Sequence, residues 1–373
     1  MKHIKKALPS AFDQNQFAYL ENRSAEDAIA TVLRILLEHL KHKNIYAKLL
    51  FIDFSSTFNT IRPNTLLQKL CNVGLNNSLC NWILDFLTNR SQCVETGEHI
   101  SNTIYINTGA PQGCVLSPLL YTLYTHDCSA SFPTNHIIKF ATTVLGLVTN
   151  NNEMAYREET ELLAGWCKKH NLTLNIIKTK EIILDFRKSN HPGHSALYIN
   201  REAVERVNSF KCLGLTVSED LSWGNNITLA VGKAQQRLFF LRKLKRAKLP
   251  HKFMISFYNC AIHSVLTYGL LVSFSSCTVA EQQMIQRVVK TAGKIIETVL
   301  PEVSTVSTSC CLRRTRNIIK DRFHPTHSLF HLLPSGRRYR SLQARTTRMA
   351  KSLYPQAVRL LNKHCSPLPT TFT

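Results

Sequence analysis

Two short segments of the sequence combine residue types that could carry chemistry. Asp53 follows the apolar run at 46–52, which predicts a buried strand ending at this carboxylate. Gly109-Ala110-Pro111-Gln112-Gly113 predicts an irregular loop. A carboxylate on rigid backbone is a hard oxygen ligand of the kind that Mg²⁺ takes, and glycine lets the backbone approach a ligand closely. These segments are therefore the first candidates for a functional site.

The elements predicted around these segments indicate how they would be held. Ser24 is a predicted N-cap for an amphipathic helix, and Pro63 suits the first turn of a helix that follows Asp53. Ser117 and Pro118 supply an N-cap and first-turn pair directly after the glycine-rich loop. Further predictions are a helix at 78–87, a hairpin at 92–107 turning at 97–98, strands at 137–141 and 144–148, a helix at 153–170 and a strand at 181–186. This order predicts an α+β fold of the split βαβ kind, with helices on one face of a sheet of antiparallel strands.

The second half of the chain is more basic and mostly helical in pattern. Residues 231–249 predict a helix, and eight basic residues and no acid lie between Lys233 and Lys252. The nearly apolar run at 258–274 predicts one core helix. From Arg313 to Lys351, eleven basic residues stand against one acid, Asp321, so we predict a basic, loosely ordered tail.

Composition favours a polyanionic partner. Lys and Arg total 46 against 24 Asp and Glu, a formal net charge of +22, so the protein is surrounded by a positive electrostatic potential that attracts a polyanion. Nucleic acid is the default partner, although a ribosomal or membrane-surface protein would share this balance. The basic N-terminus is not followed by an apolar region, and no apolar run is as long as a membrane span. We therefore expect an intracellular protein, in the nucleus or cytoplasm, without a signal peptide or transmembrane segment.

The cysteines do not indicate a metal site. The twelve Cys residues are scattered and show no series at zinc spacing, so reduced and mostly buried thiols are expected. Cys260 and His263 have a spacing suited to a metal, but they lie inside an apolar run without a second pair. Core packing is the favoured interpretation of both.

The order of the segments resembles the motif series of reverse transcriptases. Phe51-Ile52-Asp53-Phe54 and the segment up to Phe58 resemble motif A, and Gly109 to Gly113 with Leu116-Ser117-Pro118 resemble motif B. Other similar segments are Gln16-Phe17-Ala18-Tyr19 with Asn22-Arg23-Ser24 (fingers), Lys178-Thr179-Lys180 (motif D), Phe210-Lys211-Cys212-Leu213-Gly214 (motif E) and Pro334-Ser335-Gly336-Arg337-Arg338-Tyr339. The resemblance is closest to the enzymes of non-LTR (LINE-type) retrotransposons. It implies a right-hand polymerase with partial, truncated fingers at 1–45, a palm at 46–221, a helical thumb at 222–300 and a basic C-terminal segment at 301–373.

The resemblance also implies roles for single residues. Asp53 would be the catalytic ligand of Mg²⁺, and Phe58 would lie under the incoming sugar, although a Phe in this pattern is otherwise core. Gln112 would contact the nascent base pair, and Lys178 would reach the triphosphate unless it is simply solvated. The thumb residues that would grip an RNA template and DNA primer are Arg237, Arg242, Lys243, Lys245 and Arg246; the alternative is a solvated charged face.

One motif departs from the family. Motif C should carry two further metal ligands, an Asp-Asp pair after Ala, but here Ala141 is followed directly by Thr142 and Thr143. Because the flanks are intact, we infer an in-frame loss of two residues and expect both threonines in a distorted or shortened hairpin turn. Asp127 and Glu153 are the nearest acids, but each belongs to a neighbouring helix. Mg²⁺, the cofactor of the family, is therefore not expected to bind productively.

Three functions follow from these observations. The favoured one is a reverse transcriptase domain-containing protein from a non-LTR retrotransposon without polymerase activity. The alternatives are an active RNA-directed DNA polymerase, if motif C is compensated or incorrectly represented in the sequence, and a non-enzymatic protein that binds RNA or DNA. Residues 205–241 also resemble the N-terminal segment of AlkB-type tRNA-modifying dioxygenases, but the chain has no His-x-Asp pair for an iron site.

Overall fold

A computed structural model describes residue 4 and residues 13–42, 44–55, 58–140, 143–187 and 193–364. These residues form two compact units. The first contains the described parts of Met1–Arg23 and Asn44–Val207, and the second contains those of Ser24–Lys43 and Asn208–Thr373. The helix α1 (Ala25–His39) therefore belongs with the C-terminal half of the chain. The division into fingers, palm, thumb and C-terminal segment stays a prediction.

The first unit is a mixed α+β structure, which confirms the predicted fold class. Its elements are β1 (Ile45–Phe51), β2 (Phe54–Ser55), α2 (Pro63–Asn72), α3 (Asn77–Leu87), β3 (Arg90–Gln92), β4 (Glu95–Thr96), β5 (His99–Ile100), β6 (Ile104–Ile106), α4 (Ser117–Tyr124), β7 (Asn135–Ile138), β8 (Thr143–Thr149), α5 (Met154–Lys169), β9 (Thr173–Leu174), β10 (Lys180–Leu184), β11 (Tyr198–Ile199), β12 (Glu202–Ala203) and β13 (Glu205–Arg206). Five strands form one sheet in the order β13-β10-β1-β8-β7. All pairs are antiparallel except β10 with β13.

The central strand explains where Asp53 lies. All seven residues of β1 are buried, and Phe51, its last residue, pairs with Thr143 on one side and Lys180 on the other. Helices α2 to α5 pack into one apolar core with the sheet, to which Leu50 and Ile137 contribute. The predicted strand is thus confirmed, and Asp53 lies two residues beyond its end.

Two predictions for the neighbouring motifs are wrong. Ser117 is not the N-cap of α4 but its first residue, because its Oγ donates to the Pro111 carbonyl at 2.6 Å and so holds the preceding loop. Thr143 is not in the motif C turn, because it pairs with Ile138 and with Phe51 as part of β8. The turn between the paired residues is 139–142, and its last two residues, Ala141 and Thr142, lie outside the described residues. Pairing with two strands thus keeps Thr143, the second residue after the inferred loss, in the sheet.

The second unit is mainly helical. Its elements are α1, β14 (Ser209–Cys212), β15 (Leu215–Ser218), α6 (Gly224–Arg246), α7 (His251–Phe257), a π-helix (Tyr258–His263), α8 (Ser264–Thr267), α9 (Leu270–Ser273), a 3₁₀ turn (Phe274–Ser276), α10 (Val279–Ile296), α11 (Val303–Lys320), a 3₁₀ turn (His327–Leu329), α12 (Thr347–Ala350) and α13 (Leu353–His364). The capping box at the start of α1 is present, with Ser24 and Asp27 bonding each other's backbone N–H. The Ser24 N-cap is therefore confirmed.

The apolar run at 258–274 is not one helix. A π-helix occupies its first part, and the chain breaks at Gly269, whose φ is 80° and whose Cα lies so close to Leu215 that a Cβ would be 2.5 Å from a methyl carbon. The expectation that Cys260 packs in the core is also wrong, because this cysteine is exposed. By length and composition alone, the stretch His251–Ser276 could cross a membrane, which differs from the prediction; one such stretch is weak support, because a core helix passes the same test.

The predicted loose tail is wrong for the described residues up to 364. Helices α11 and α13 pack together, and the ring of Tyr354 is fully buried next to Phe330. Arg314 on α11 makes two hydrogen bonds to the fully buried carboxylate of Asp27 on α1, one of them at 2.8 Å. The basic segment is therefore part of the second unit and is held to it by buried contacts.

Candidate active site

A cleft of about 250 Å³ opens beside Asp53 in the first unit. The backbone carbonyl of Asp53 accepts from Asn175 N–H at 2.9 Å, which fixes the segment after β1. The Asp53 side chain is 49% exposed, and its Oδ2 lies 3.7 Å from Nζ of Lys178. The cleft is lined by Gln16, Ala18, Tyr19, Ile52, Asp53, Phe54, Phe58, Tyr121, Thr125, Cys128, Lys139, Phe140 and Trp166. Among these described residues, Asp53 is the only carboxylate.

Aromatic side chains form one wall of the cleft. The Phe58 ring lies 5.6 Å from the ring of Tyr121 in a tilted arrangement and 6.5 Å from the ring of Tyr19 in an edge arrangement. Burial raises the pKa of the Tyr121 hydroxyl, which therefore stays protonated. The wall offers flat apolar surface next to a carboxylate, as contact with a nucleoside would require.

The glycine-rich loop is fastened to the segment that carries Phe58. Gly109 N–H donates to the Ile61 carbonyl at 2.7 Å, and Ala110 N–H donates to the Phe58 carbonyl at 2.8 Å. Gly109 has φ 73°, and a Cβ there would lie 2.8 Å from the Phe58 carbonyl oxygen, so only glycine fits without a shift. Gln112 follows this contact, is exposed, and donates to Asn59 Oδ1 at 3.2 Å. It lies next to the Phe58 segment but does not line the cleft.

Lys139 is a cleft residue that sequence reasoning missed. It is the first residue of the motif C turn, and its buried ammonium donates to Asp13 Oδ2 at 2.7 Å and to the carbonyls of Thr125 and His126 at 2.9 and 3.1 Å. Its carbonyl also accepts from Phe17 N–H at 2.7 Å, which joins the turn to the fingers-like segment. The available signal was a lysine inside an apolar strand pattern, because a buried charge must be paired.

Asp127 and Glu153, the acids nearest to motif C in sequence, are bound elsewhere. Asp127 Oδ1 lies 2.6 Å from Nζ of Lys69. Burial alone would raise the pKa of Asp127, but the Lys69 ammonium lowers it below its usual value. Glu153 accepts from the Tyr46 hydroxyl at 2.5 Å, and its carboxylate lies 2.9 Å from the Lys48 ammonium in an ion pair. Neither acid lines the cleft.

Lys48, whose side chain is fully buried, is the centre of a charge network on β1. Glu153 lies 2.9 Å from its Nζ, Glu181 lies 3.5 Å away, and the ring centre of Tyr156 lies 5.5 Å away. Burial would raise the pKa of Glu153, but hydrogen bonds from Tyr46, Lys48 and Arg157 lower it to about 2. The network therefore keeps the Glu153 carboxylate ionised beside the buried Lys48.

The five basic residues proposed for the thumb divide into two groups. Arg237 donates to the Ala261 carbonyl, and Lys245 Nζ lies 2.6 Å from Glu297, so both have partners within the second unit. Arg242, Lys243 and Arg246 are exposed on α6. Lys243 lies 4.7 Å from the ring centre of Phe239, which is itself half exposed. This second group is the part of the helix that can meet a partner.

The structure thus brings Asp53, Phe58 and Lys178 together and places Gln112 beside the Phe58 segment, outside the cleft. The donor set does not fit two Mg²⁺ ions. In the parts of the chain that the structure describes, no three His, Cys, Asp or Glu side chains are grouped so that they could hold a metal. One half-exposed carboxylate facing a lysine cannot replace the cage of oxygen ligands that such ions need.

Comparisons with known proteins agree with the motif order. A family model described as "Reverse transcriptase (RNA-dependent DNA polymerase)" matches residues 1–217. A second model, "Alkylated DNA repair protein alkB homolog 8, N-terminal", matches residues 223–264, a short stretch that overlaps the segment 205–241 indicated by the sequence. The chain is 24% identical over 284 residues to an RNA-directed DNA polymerase from the mobile element jockey of Drosophila melanogaster, covering 73% of this chain and 30% of that protein. It is likewise 24% identical over 271 residues to a probable RNA-directed DNA polymerase from transposon BS of the same species, covering 69% and 30%.

The chain therefore spans about 30% of the length of these relatives. Among solved structures, a telomerase from Candida tropicalis in complex with a fragment of telomeric RNA aligns with 92% of this chain and 50% of that chain, at 13% identity and a TM-score of 0.41. A TM-score below 0.5 does not establish a common fold, so the assignment depends on the sequence match. That match covers more than half of the chain and includes motifs A and B together with the cleft. The chain belongs to the reverse transcriptase (RNA-dependent DNA polymerase) family.

Proposed function

We propose that this protein is a reverse transcriptase derived from a non-LTR retrotransposon that binds nucleic acid but does not polymerise DNA. The observation that carries the proposal is the motif C turn. Ile138 pairs directly with Thr143, and the four residues between them, Lys139, Phe140, Ala141 and Thr142, include no carboxylate. The turn therefore offers no acid between Ala141 and Thr142, where the family carries two, and its one charged side chain, Lys139, is already bound to Asp13.

The expected chemistry explains why this loss would abolish activity. Polymerisation needs two metal ions that activate the primer 3′-oxygen and stabilise the charge on the transferred phosphoryl group. A unit negative charge attracts a unit positive charge at 4 Å by about 4 kcal/mol at an effective dielectric of 20, and a divalent ion doubles this attraction. With the Asp-Asp pair missing, Asp53 is left with Lys178 as its nearest cation. We propose that Mg²⁺ does not bind productively in this cleft.

The proposed binding function draws on features that the loss leaves in place. Phe58, Tyr121 and Tyr19 still form an aromatic wall, and the exposed Lys178 beside Asp53 can meet phosphate. On α6, Arg242, Lys243 and Arg246 present positive charge in a chain of net charge +22. Such residues bind the sugar-phosphate backbone without sequence preference, and their binding weakens as salt rises. An RNA template paired with a DNA primer is the partner we propose.

Primer extension on an RNA template with Mg²⁺ tests the catalytic half of the proposal. We expect no dNTP incorporation by the native sequence, and incorporation by a variant in which Asp-Asp is inserted after Ala141. Asp53→Ala in the inserted variant is the matched control and should abolish the restored activity. Incorporation by the native sequence that disappears in Asp53→Ala would overturn the proposal and favour an active polymerase.

Fluorescence anisotropy with a labelled RNA–DNA duplex tests the binding half. Arg242→Ala should weaken binding and lower the slope of log affinity against log salt by about one unit, because it removes one guanidinium that neutralises a phosphate. Lys245→Ala is the control on the same helix, and we expect a smaller change since Lys245 already pairs with Glu297. Absent or salt-independent affinity for the duplex would contradict a nucleic-acid-binding function.

A further inference from the structure

A small hairpin in the C-terminal segment, residues 331–340, has an ordered turn. Leu332 and Tyr339 form an antiparallel bridge, and Leu333 N–H donates to the Arg338 carbonyl at 2.8 Å. The turn closes through a 2.8 Å hydrogen bond from Gly336 N–H to the Leu333 carbonyl. Pro334 occupies the second and Gly336 the fourth position of this turn, which are the positions that type I turns favour for these residues. We call residues 331–340 the arginine hairpin.

The arginine hairpin is fastened to the body of the second unit. Asn362 on α13 accepts from Tyr339 N–H at 2.8 Å and donates to the Tyr339 carbonyl at 3.0 Å, as a neighbouring strand would. The side chain of Tyr339 is only 6% exposed. Arg340 N–H also donates to the His331 carbonyl at 2.8 Å. The hairpin is therefore held in place before any partner arrives, so a partner would not have to order it.

The hairpin presents three arginines to solvent. Successive side chains of an extended strand point to opposite faces, so the inward position of Tyr339 turns Arg338 and Arg340 outward. Arg337 precedes them in the turn, and all three are exposed. Among the described residues, none of the three forms an ion pair, and the sequence after Asp321 contains no Asp or Glu. Three guanidinium groups thus share a fixed, exposed turn without local carboxylates to neutralise them.

We propose that the arginine hairpin binds the sugar-phosphate backbone of nucleic acid, as a binding surface additional to helix α6. Guanidinium groups form paired hydrogen bonds with phosphate oxygens, and a rigid turn positions them without loss of backbone freedom. The proposal rests on the nucleic-acid-binding function proposed above and extends it to a part of the chain beyond residues 1–217, which match the reverse transcriptase family. Leu332, which is 49% exposed beside the turn, makes an anionic membrane the competing partner. Membership of a family that binds nucleic acid favours nucleic acid over a membrane as the partner of the hairpin.

The test compares two triple variants of the full chain by anisotropy with a labelled RNA–DNA duplex over a series of salt concentrations. The first variant is Arg337→Ala with Arg338→Ala and Arg340→Ala. The control is Arg313→Ala with Arg316→Ala and Lys320→Ala, which removes the same charge from exposed positions on one face of α11. For the hairpin variant we expect the slope of log affinity against log salt to fall by roughly two to three units, about one for each phosphate that is no longer neutralised. The control should change the slope by less than half as much.

Each outcome decides a different point. Equal changes of slope in the two triple variants, or an unchanged slope in the hairpin variant while the native chain binds, would overturn the role of the hairpin and leave the proposed function standing. A native chain that does not bind the duplex would overturn both. A hairpin variant that loses affinity for phosphatidylserine vesicles but not for the duplex would assign the hairpin to a membrane instead. Unchanged circular dichroism in both variants is the check that the second unit remains folded.

Discussion

Two charged residues, one inside the central strand β1 and one just beyond its end, are stabilised in opposite ways. Lys48, inside the strand, is fully buried and lies within 3.5 Å of two carboxylates. Asp53, two residues beyond the strand end, is half exposed and meets one lysine whose side chain is 70% exposed, at 3.7 Å. Water cannot reach the buried Lys48 to replace its partners, whereas water can replace the partner of Asp53. Charge inside the sheet is therefore structural, and charge at its end is available for ligands.

The difference also explains how the chain can keep its sheet without the motif C acids. The inferred loss falls in a turn at the solvent-facing end, where Ile138 still pairs with Thr143. The network around Lys48 lies three residues before the pair of Phe51 with Thr143, about 10 Å away along an extended strand, and does not involve that turn. Acids whose role is to hold metal ions oppose each other when the ions are absent, so their loss need not cost stability.

The largest effect should come from breaking the network. Lys48→Met removes the cation between Glu153 and Glu181 and should lower the free energy of unfolding by about 3 kcal/mol, because the buried Glu181 and the partly buried Glu153 both lose a partner. Lys178→Met, the matched control at the exposed pair, should change it by less than about 0.5 kcal/mol. Urea unfolding of both variants measures the difference. An equal loss of unfolding free energy in the two variants would contradict the distinction between the buried and the exposed ion pair.

The second effect is a dependence on pH. The pKa of Glu153 is about 2 in the folded protein, against 4.5 for the unperturbed carboxyl of the unfolded chain. The ionised form therefore stabilises the fold above pH 4.5, and this contribution is lost as the pH falls towards 2. Glu153→Gln should therefore cost about 2 kcal/mol at neutral pH. The gap between the native protein and the variant should close below pH 4.5. Unfolding curves at several pH values measure this gap; a constant gap would show that Glu153 does not titrate in this way.

A third prediction concerns the glycine-rich loop beside the cleft. Gly109→Ala and Gly113→Ala both place a side chain at positive φ, but only the Cβ at position 109 meets backbone atoms, at 2.8 Å. We expect Gly109→Ala to be the more destabilising by about 1 kcal/mol, since both variants share the backbone strain. Thermal unfolding compares them. Equal shifts would mean that the loop can move away from Phe58 at no cost.

The smallest effect is expected at Asp53. Asp53→Asn should change the free energy of unfolding by less than about 0.5 kcal/mol, because its partner Lys178 is exposed and solvent replaces the ion pair. Chemical denaturation provides the measurement, with Asp127→Asn as the control at a carboxylate that binds the buried Lys69. If Asp53→Asn were the more destabilising of the two, Asp53 would be structural.

Local patterns predicted the framework of the site. The end of β1 before Asp53, the cap at Ser24 and the turn at Gly97-Glu98 each depend on neighbouring residues, and the structure confirms all three. Motif order led to the family for the same reason, since it needs only spacing along the chain. The α+β fold class and the segments that form the candidate site could therefore be predicted from the sequence.

The predictions were wrong or incomplete where residues that are distant in sequence determine the local conformation or the partner of a side chain. Thr143 was expected in a turn because tight turns follow local rules, but two neighbouring strands hold it in β8. No partner was predicted for Lys139 or Lys48, because the acids that pair with them come from distant segments of the chain. The break at Gly269 likewise depends on the approach of Leu215 from elsewhere in the unit. Sequence patterns identify which groups are present, but buried partnerships are set by packing between segments that are far apart along the chain.

The ion pair between Asp27 and Arg314 has a consequence for how the protein is made. The two residues are 287 positions apart, so a ribosome adding 5–20 residues per second needs roughly 15–60 s between them. During that interval α1 has its apolar face, with Leu33 and Leu36, but not the helix against which its charge is neutralised. The second unit can thus close only after Arg314 has been synthesised. Until then the apolar face of α1 is exposed to non-native contacts of the kind that chaperones prevent.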